Sequence, residues 1–278
     1  MRKIILQADK NGRILKVLSA MLPQSSFGEL SGALRKKDVL VNGVRVKENV
    51  AVSLGDELII FLPDAKEVEI PVVYEDDNIV VVNKGKHIEV CDGEYNLVGL
   101  FESKGKTVLP VHRLDRNTEG LVIFAKTEQA FRAMVDGLRA GCAKKKYVAE
   151  VYGTPTQKSA TFTDYILKNA EKSEVRVFST PTAGAEKAIT SYEVIKSSGG
   201  VSLLSVTISE GKTHQIRASL AYHGLPIIGD GKYGKNQINK TYKAKTQKLK
   251  CYEVEFCFDK QSPLAYLNEV DIAIKAEV

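Results

Sequence analysis

Apolar positions in the first sixty residues follow two different periods. Ile14, Val17, Leu18 and Met21 recur at helical spacing, which predicts a short amphipathic helix closing before Pro23. Ser26-Phe27-Gly28-Glu29 has the form of a capping box, a serine three residues ahead of a glutamate. The helix it opens is expected to bury Phe27, Leu30 and Leu34 and to end in Arg35-Lys36-Lys37, where cations suit the free carbonyls. Strand spacing follows: Val39-Leu40-Val41 and Val44-Arg45-Val46 flank Asn42-Gly43, a tight-hairpin dipeptide. Gly55-Asp56-Glu57 reads as a turn into a closing strand, Leu58-Ile59-Ile60-Phe61. Pro63 and Pro71 then bracket a charged stretch, which predicts a linker over 63–71 between a small domain (1–62) and a larger one (72–278).

The larger part is strand-rich. Ile79 to Val82, Leu121 to Phe124, Tyr147 to Tyr152 and Leu203 to Ile208 are short β-rich runs between turns. Cys251, Glu253, Glu255 and Cys257 alternate with Tyr252, Val254, Phe256 and Phe258, the pattern of a half-buried strand. The clearest helix is Thr127 to Leu138, with Ala130, Phe131, Met134 and Leu138 at period three to four. Strands and helices do not alternate as βαβ units, so the class is α+β with a largely antiparallel mixed sheet.

Composition narrows the function classes. A chain of 278 residues, 44% hydrophobic and 27% charged, is ordinary for two soluble globular domains. No apolar run approaches the roughly 20 residues that span a bilayer, and Ile4-Ile5-Leu6 is too short for a secretory core. A cytoplasmic protein without membrane contact is expected. Cys91, Cys142, Cys251 and Cys257 form no CxxC pair, and four histidines show no HxxxH spacing, so no metal site is expected. Free buried thiols in a reducing compartment are the simplest state for the cysteines. Residues 1–62 hold 10 Lys and Arg against 6 Asp and Glu, whereas the rest of the chain holds 30 against 28. A basic appendage on a nearly neutral body is the footprint of polyanion binding; a merely solvated face is the plainer alternative.

Three stretches carry candidate chemistry. In His112-Arg113-Leu114-Asp115-Arg116-Asn117-Thr118-Glu119-Gly120 a carboxylate stands between two arginines, which favour its ionised form as a nucleophile or base. An ordinary surface ion-pair knot would look the same. In Lys144-Lys145-Lys146-Tyr147-Val148-Ala149-Glu150-Val151-Tyr152-Gly153, alternation puts Tyr147, Ala149 and Val151 on one face. A phenol near cations can stack on a base or move a proton; otherwise it is a core tyrosine and the lysines protect an edge strand. In Glu210-Gly211-Lys212-Thr213-His214-Gln215-Ile216-Arg217 the Gly-Lys-Thr suggests a nucleotide-binding loop, but Val206 occupies the position where that loop needs its first glycine. What remains is a polar turn presenting Arg217, with Gly229-Asp230-Gly231-Lys232-Tyr233-Gly234 behind it and two histidines, His214 and His223, expected to be structural.

In this order the three stretches resemble the RluA-type pseudouridine synthase family. His112 to Gly120 match its HRLD-R-x-T-x-G pattern; Lys145, Tyr147, Ala149, Val151 and Gly153 match K-x-Y-x-A-x-V-x-G. Gly211 to Arg217 and Gly229 to Gly234 match G-R-T-H-Q-I-R and G-D-x-x-Y-G, with Lys212 in place of arginine. The likeness covers about residues 72–260. Departures are Lys84-Gly85-Lys86-His87 in place of Lys-Pro-x-Gly, a short stretch to Leu109, Ser219 where histidine is common, and Lys250-Cys251 where His-Ala is common. Residues 11–62 resemble the αL RNA-binding domain of a small-subunit ribosomal protein and of tyrosyl-tRNA synthetases.

The first resemblance implies isomerisation of RNA uridines by a monomeric enzyme that needs no cofactor, metal or nucleotide. Asp115 would initiate it, by attacking the anomeric carbon or by abstracting a sugar proton. Arg217 would orient Asp115, and Tyr147 would stack on the uracil and help remove its proton. Arg113 would fill the stack that the base vacates, with Arg116 beside it in substrate binding. The second resemblance implies an RNA surface of Arg35, Lys36, Lys37 and Arg45. Large-subunit ribosomal RNA is the expected substrate and transfer RNA the alternative. The rival classes are a ribosome-associated binding protein that has lost the reaction and a carboxylate-pair glycosidase, for which no second acid stands at a motif position.

Overall fold

Alternating side chains make Arg2–Gln7 a strand with one face inward, and its partner Glu57–Leu62 has the same alternation. The structure, a computed structural model, describes residues 1–22, 25, 27–62, 69–93, 95–169 and 174–278. Pro23, Ser26 of the expected capping box and positions 63–68 of the expected linker lie outside them. The chain divides into two units, Met1–Glu69 and Ile70–Val278.

The first unit runs β1 (Arg2–Gln7), β2 (Gly12–Arg13), α1 (Ile14–Met21), α2 (Phe27–Arg35), β3 (Val39–Val41), β4 (Val44–Val46), β5 (Ala51–Val52) and β6 (Glu57–Leu62). Its main sheet has the order β1-β6-β3-β4, with β2 pairing β5. Ile14, Val17 and Leu18 of α1 and Leu30, Ala33 and Leu34 of α2 are buried together with Val39, Leu58 and Ile60. Phe27, expected in that stripe, is instead exposed. It is the first residue of α2, and the stripe through Leu30, Ala33 and Leu34 begins one turn later. Asn42 and Gly43 both have positive φ, as a two-residue turn between twisted strands requires.

The second unit continues with β7 (Val72–Glu75), β8 (Ile79–Lys84), α3 (Leu97–Ser103), β9 (Leu109–Pro110), β10 (Glu119–Ala125), α4 (Glu128–Arg139), β11 (Ala143–Tyr152) and β12 (Ser159–Asn169). It ends with β13 (Glu174–Phe178), β14 (Glu186–Ser198), β15 (Val201–Ile208), α5 (Gln215–Tyr222), α6 (Asn236–Thr241), β16 (Leu249–Phe256), a 3₁₀ turn at Ala265–Glu269 and β17 (Ile272–Ala273). One sheet holds every described strand of this unit, in the order β13-β12-β14-β15-β11-β16-β10-β8-β7, with β9 on β10 and β17 on β16. The fold is α+β. Among the described strands every pairing is antiparallel except β10 with β16.

Three expectations change here. β11 lies between β15 and β16, so its lysines do not guard an edge. Lys145 is buried with its ammonium on the Ser209 carbonyl, and Lys146 reaches Glu253 and Glu255. The period in β16 is broken where the register with β11 slips between Lys146 and Tyr147. That irregularity puts Cys251 inside as well as Val254 and Phe256, which strict alternation forbids. Finally, the four thiols are free but not all buried: Cys251 is, Cys142 is half-buried, and Cys91 and Cys257 are exposed because both lie outside the core strands.

Candidate active site

The loop between β9 and β10 is held by its own sequence. Burial pushes His112 down to about 3, so its ring is neutral and Nε2 accepts the Ile123 amide at 3.1 Å. The Thr118 amide closes a turn onto the Asp115 carbonyl at 3.0 Å, and the Thr118 hydroxyl accepts from the buried Gln247 amide at 3.1 Å. Lys84, almost fully buried, donates to the carbonyls of Gly85 and Ile88 at 2.9 Å and of Arg116 at 3.2 Å. The loop enters β10 at Gly120, whose φ is 112° and whose missing Cβ would lie 2.0 Å from the Cys251 carbonyl oxygen. Only glycine permits that close parallel approach.

Opposite the loop, α5 presents Arg217. Its Nη1 donates to Asp115 Oδ2 at 2.6 Å, while Nε and Nη2 grip both oxygens of Asp230 at 2.7 and 2.9 Å. Asp230 is 1% exposed, and its Oδ1 also accepts the amides of Lys232 and Tyr233. Burial alone would raise this carboxyl, but Arg217 and those two amides hold it below its ordinary value. Burial likewise opposes the Arg217 charge, and Asp230 and Asp115 more than restore it. The guanidinium is thus a fixed cation aimed at Asp115.

Tyr147 comes from β11 and is buried beneath the same cleft. Its phenol is pushed well above its ordinary value, first by burial and then by Cys251 and the Asp115 carboxylate. The Cys251 thiol is itself raised to about 12 by burial, so both groups are protonated. His214 sits just ahead of α5 at a left-handed φ of 54°. Tyr233 already accepts the Val175 amide at 2.9 Å, so its own proton is available to His214 Nδ1 at 2.8 Å. That assignment leaves Nε2 protonated, 3.9 Å from Asp115 Oδ1. Burial, Arg217 and Lys232 lower the His214 pKa against the pull of Asp115 and Asp230, so the ring is neutral at pH 7.

Asp115, Tyr147, Arg217 and Arg113 therefore line one cleft. Arg113 is largely exposed and pairs with Asp92 at 2.6 Å, a residue of the short stretch after Lys84. Arg116 does not line the cleft; its Nε lies 3.5 Å from the His87 carbonyl. In the first unit, Arg45 Nη1 donates to the Lys37 carbonyl at 2.7 Å, which joins the hairpin to the basic end of α2. The sequence reading missed Asp230, His214 and Lys84. Asp230 had a signal, since it is the aspartate of the matched G-D-x-x-Y-G motif, to which no role was given. His214 also lay in a matched motif but was read as structural, and Lys84 had no signal of its own, because burial beside a carboxylate is a property of the fold.

Comparison with known proteins fits this geometry. The sequence model of the RNA pseudouridylate synthase family matches residues 78–222. An uncharacterized RNA pseudouridine synthase of Mycoplasma pneumoniae is 31% identical over 93% of this chain and 89% of its own length. A Rickettsia bellii protein named ribosomal large subunit pseudouridine synthase C is 28% identical over 81% of this chain and 84% of its own. Among solved structures, human RNA pseudouridylate synthase domain containing 1 shares the fold, with a TM-score of 0.62 at 18% identity over 77% of this chain and 86% of that one.

Proposed function

The chain belongs to the RNA pseudouridylate synthase family, and from that premise we propose that Asp115 starts the isomerisation of a uridine in large-subunit ribosomal RNA. The observation that carries this reading is the 2.6 Å pair of Arg217 and Asp115 in the cleft that Tyr147 floors. In the reaction the bond from uracil N1 to ribose C1′ breaks and one from C5 to C1′ forms. The proton lost from C5 balances the one gained at N1, so no oxidant or cofactor is consumed. Asp115 attacks C1′ or removes a sugar proton; either route needs a carboxylate oriented toward the sugar, and Arg217 fixes its position at 2.6 Å.

Tyr147 offers its ring to the uracil. As a base it is handicapped while Asp115 is charged, because that charge helps hold the phenol up. Either role of Asp115 consumes that charge only until C5 bonds to C1′ and releases the carboxylate; the proton on C5 leaves after that bond has formed, so proton transfer through Tyr147 is the last step. A stacked uridine must first be extruded, at a cost of a few kcal/mol. Arg113 suits the vacated space, since its exposed pair with Asp92 holds it by only about 0–1 kcal/mol. Ribosomal RNA is favoured by the names of relatives such as ribosomal large subunit pseudouridine synthases C and D. We assign the first unit to RNA backbone binding of the αL kind, through Arg35, Lys36, Lys37 and Arg45.

Pseudouridine mapping of RNA from cells lacking the protein tests this reading, with wild type or Asp115→Ala restored. A ribosomal uridine that regains its mark only with wild type is the expected result, with RNA affinity of the purified variant nearly unchanged. Equal restoration by both overturns the role of Asp115; a transfer RNA mark in place of a ribosomal one overturns the substrate.

A further inference from the structure

The near neutrality of residues 63–278 conceals a segregated charge. Between Asp230 and Glu253 the chain carries seven lysines, at positions 232, 235, 240, 243, 245, 248 and 250, and no acidic residue. The rest of residues 63–278 holds 23 Lys and Arg against 28 Asp and Glu, so this stretch alone makes that part of the chain basic. A solvated face would place acids among the lysines; this one does not.

Five of the seven lysines are exposed; Lys248 and Lys250 are half-buried, and Lys248 pairs with Glu150 at 2.9 Å. Lys240, Lys243 and Lys245 are exposed and form no ion pair among the described residues. Between them, Tyr242 leaves 38% of its surface open to solvent. The anchors lead to the cleft. Asn239 accepts the Gly229 amide at 2.7 Å and donates to the Asp230 carbonyl at 2.9 Å. Gln247 bonds Thr118, and Leu249 lines the cleft itself. Gly229, with φ at 82°, lets the Thr246 carbonyl pass where a Cβ would lie 2.0 Å away. Lys243 closes α6 in the left-handed conformation, at φ 50°, a position that favours glycine or asparagine. Lys37 closes α2 in the same way, at φ 62°. A lysine kept at a disfavoured backbone position argues for what its charge does there.

We infer that residues 232–250 form a strap on the rim of the cleft whose Lys240, Lys243 and Lys245 bind the phosphates of the RNA flanking the target uridine. The inference rests on the reading of the cleft as a pseudouridine synthase site. The open ring of Tyr242 suits stacking on an unpaired base of that strand. Such contacts hold the backbone beside the extruded nucleotide without reading its sequence.

The test is binding of a labelled single-stranded RNA containing uridine, measured against salt concentration with the full chain. The variant is Lys240→Gln, Lys243→Asn and Lys245→Gln, asparagine being chosen to suit the left-handed position. A charge-matched control carries Lys158, Lys196 and Lys260→Gln, exposed elsewhere on the same unit. Loss of three phosphate contacts should weaken binding about tenfold or more and flatten the log–log salt slope by about 2, with the control near wild type. Equal slopes in strap variant and control overturn the strap. Unchanged RNA binding with reduced retention of poly-glutamate does so too, and identifies an acidic polypeptide as the partner. Isomerase activity on the same RNA is read in parallel: wild type that binds but never converts uridine refutes the function while leaving the strap to be judged on its slope.

Discussion

Arg217 has more donors than Asp115 can use, and that surplus defines the role of Asp230. By taking Nε and Nη2, Asp230 fixes the guanidinium plane and leaves Nη1 directed at Asp115. In Asp230→Asn one acceptor becomes a donor facing a cation. Removing one partner of a buried pair costs about 3–5 kcal/mol; the lower end is expected because Asp115 still balances Arg217. Misplacement of the cation should lower kcat about 100-fold with KM little changed. Steady-state kinetics and urea unfolding check both. Lys84 gives a second prediction. Burial lowers it from 10.5 to about 8, against the pull of Asp115 and Glu119. Between those values the unfolded chain binds the extra proton, so the site adds stability as pH rises from about 8 to 10.5, by about 3 kcal/mol in all. Below pH 8 both states are charged and the full burial cost remains. Lys84→Met should lack this rise when unfolding free energies of the two proteins are compared across the window; parallel curves would mean that Lys84 is not desolvated. Asp115, Tyr147 and Arg217 were legible in the sequence because each sits in a motif with fixed neighbours. The partners that tune them come from distant segments, and no spacing announces them.

At the scale of elements, the junction of β10 and β16 is the most constrained place in the second unit. Among the described strands it is the parallel pairing, and it forms where the loop that carries Asp115 ends. Gly120→Ala would drive a methyl into the Cys251 carbonyl at a φ that L-residues avoid, so a loss of more than about 4 kcal/mol is expected. Thermal unfolding measures it; a loss under about 1 kcal/mol would show that the strands can part without consequence. Helices and strands were largely legible from periodicity, including the helix expected over Thr127 to Leu138, which runs Glu128–Arg139 with Thr127 outside it as the cap. Two kinds of feature were not. Phe27 has the right spacing but falls a turn too early to meet the core. Cys251 has the wrong spacing but is buried, because a register slip against β11 changes the phase of β16. Local period cannot report either, since both depend on which strand or helix lies alongside. The same holds for the lysines of β11, whose central place follows from the sheet order and not from their own segment.

For the whole molecule, charge is divided between two separate places, each on its own core. The first unit packs around Ile14, Leu18, Leu30 and Leu58, the second around Ile79 to Val82 and Leu121 to Phe124. Summed charge over 63–278 hides the strap because acids elsewhere cancel it, which is why a net count pointed to the first unit alone. If both places hold RNA phosphates, they act as two modules on one strand. Loss of either then weakens binding without touching the reacting atoms. Arg35→Gln, Lys36→Gln and Lys37→Asn removes the cations at the end of α2, again with asparagine at the left-handed position. Three lost contacts should flatten the log–log salt slope by about 2, as for the strap, and the combined six-residue variant should lose about twice that. In turnover assays KM should rise in each variant, whereas kcat at saturating RNA stays within about twofold, because Asp115, Arg217 and Tyr147 are undisturbed. A fall in kcat with KM unchanged would mean that these cations shape the cleft and do not hold RNA. A first-unit variant with the wild-type slope would leave the strap as the phosphate site and remove RNA binding from the helix end.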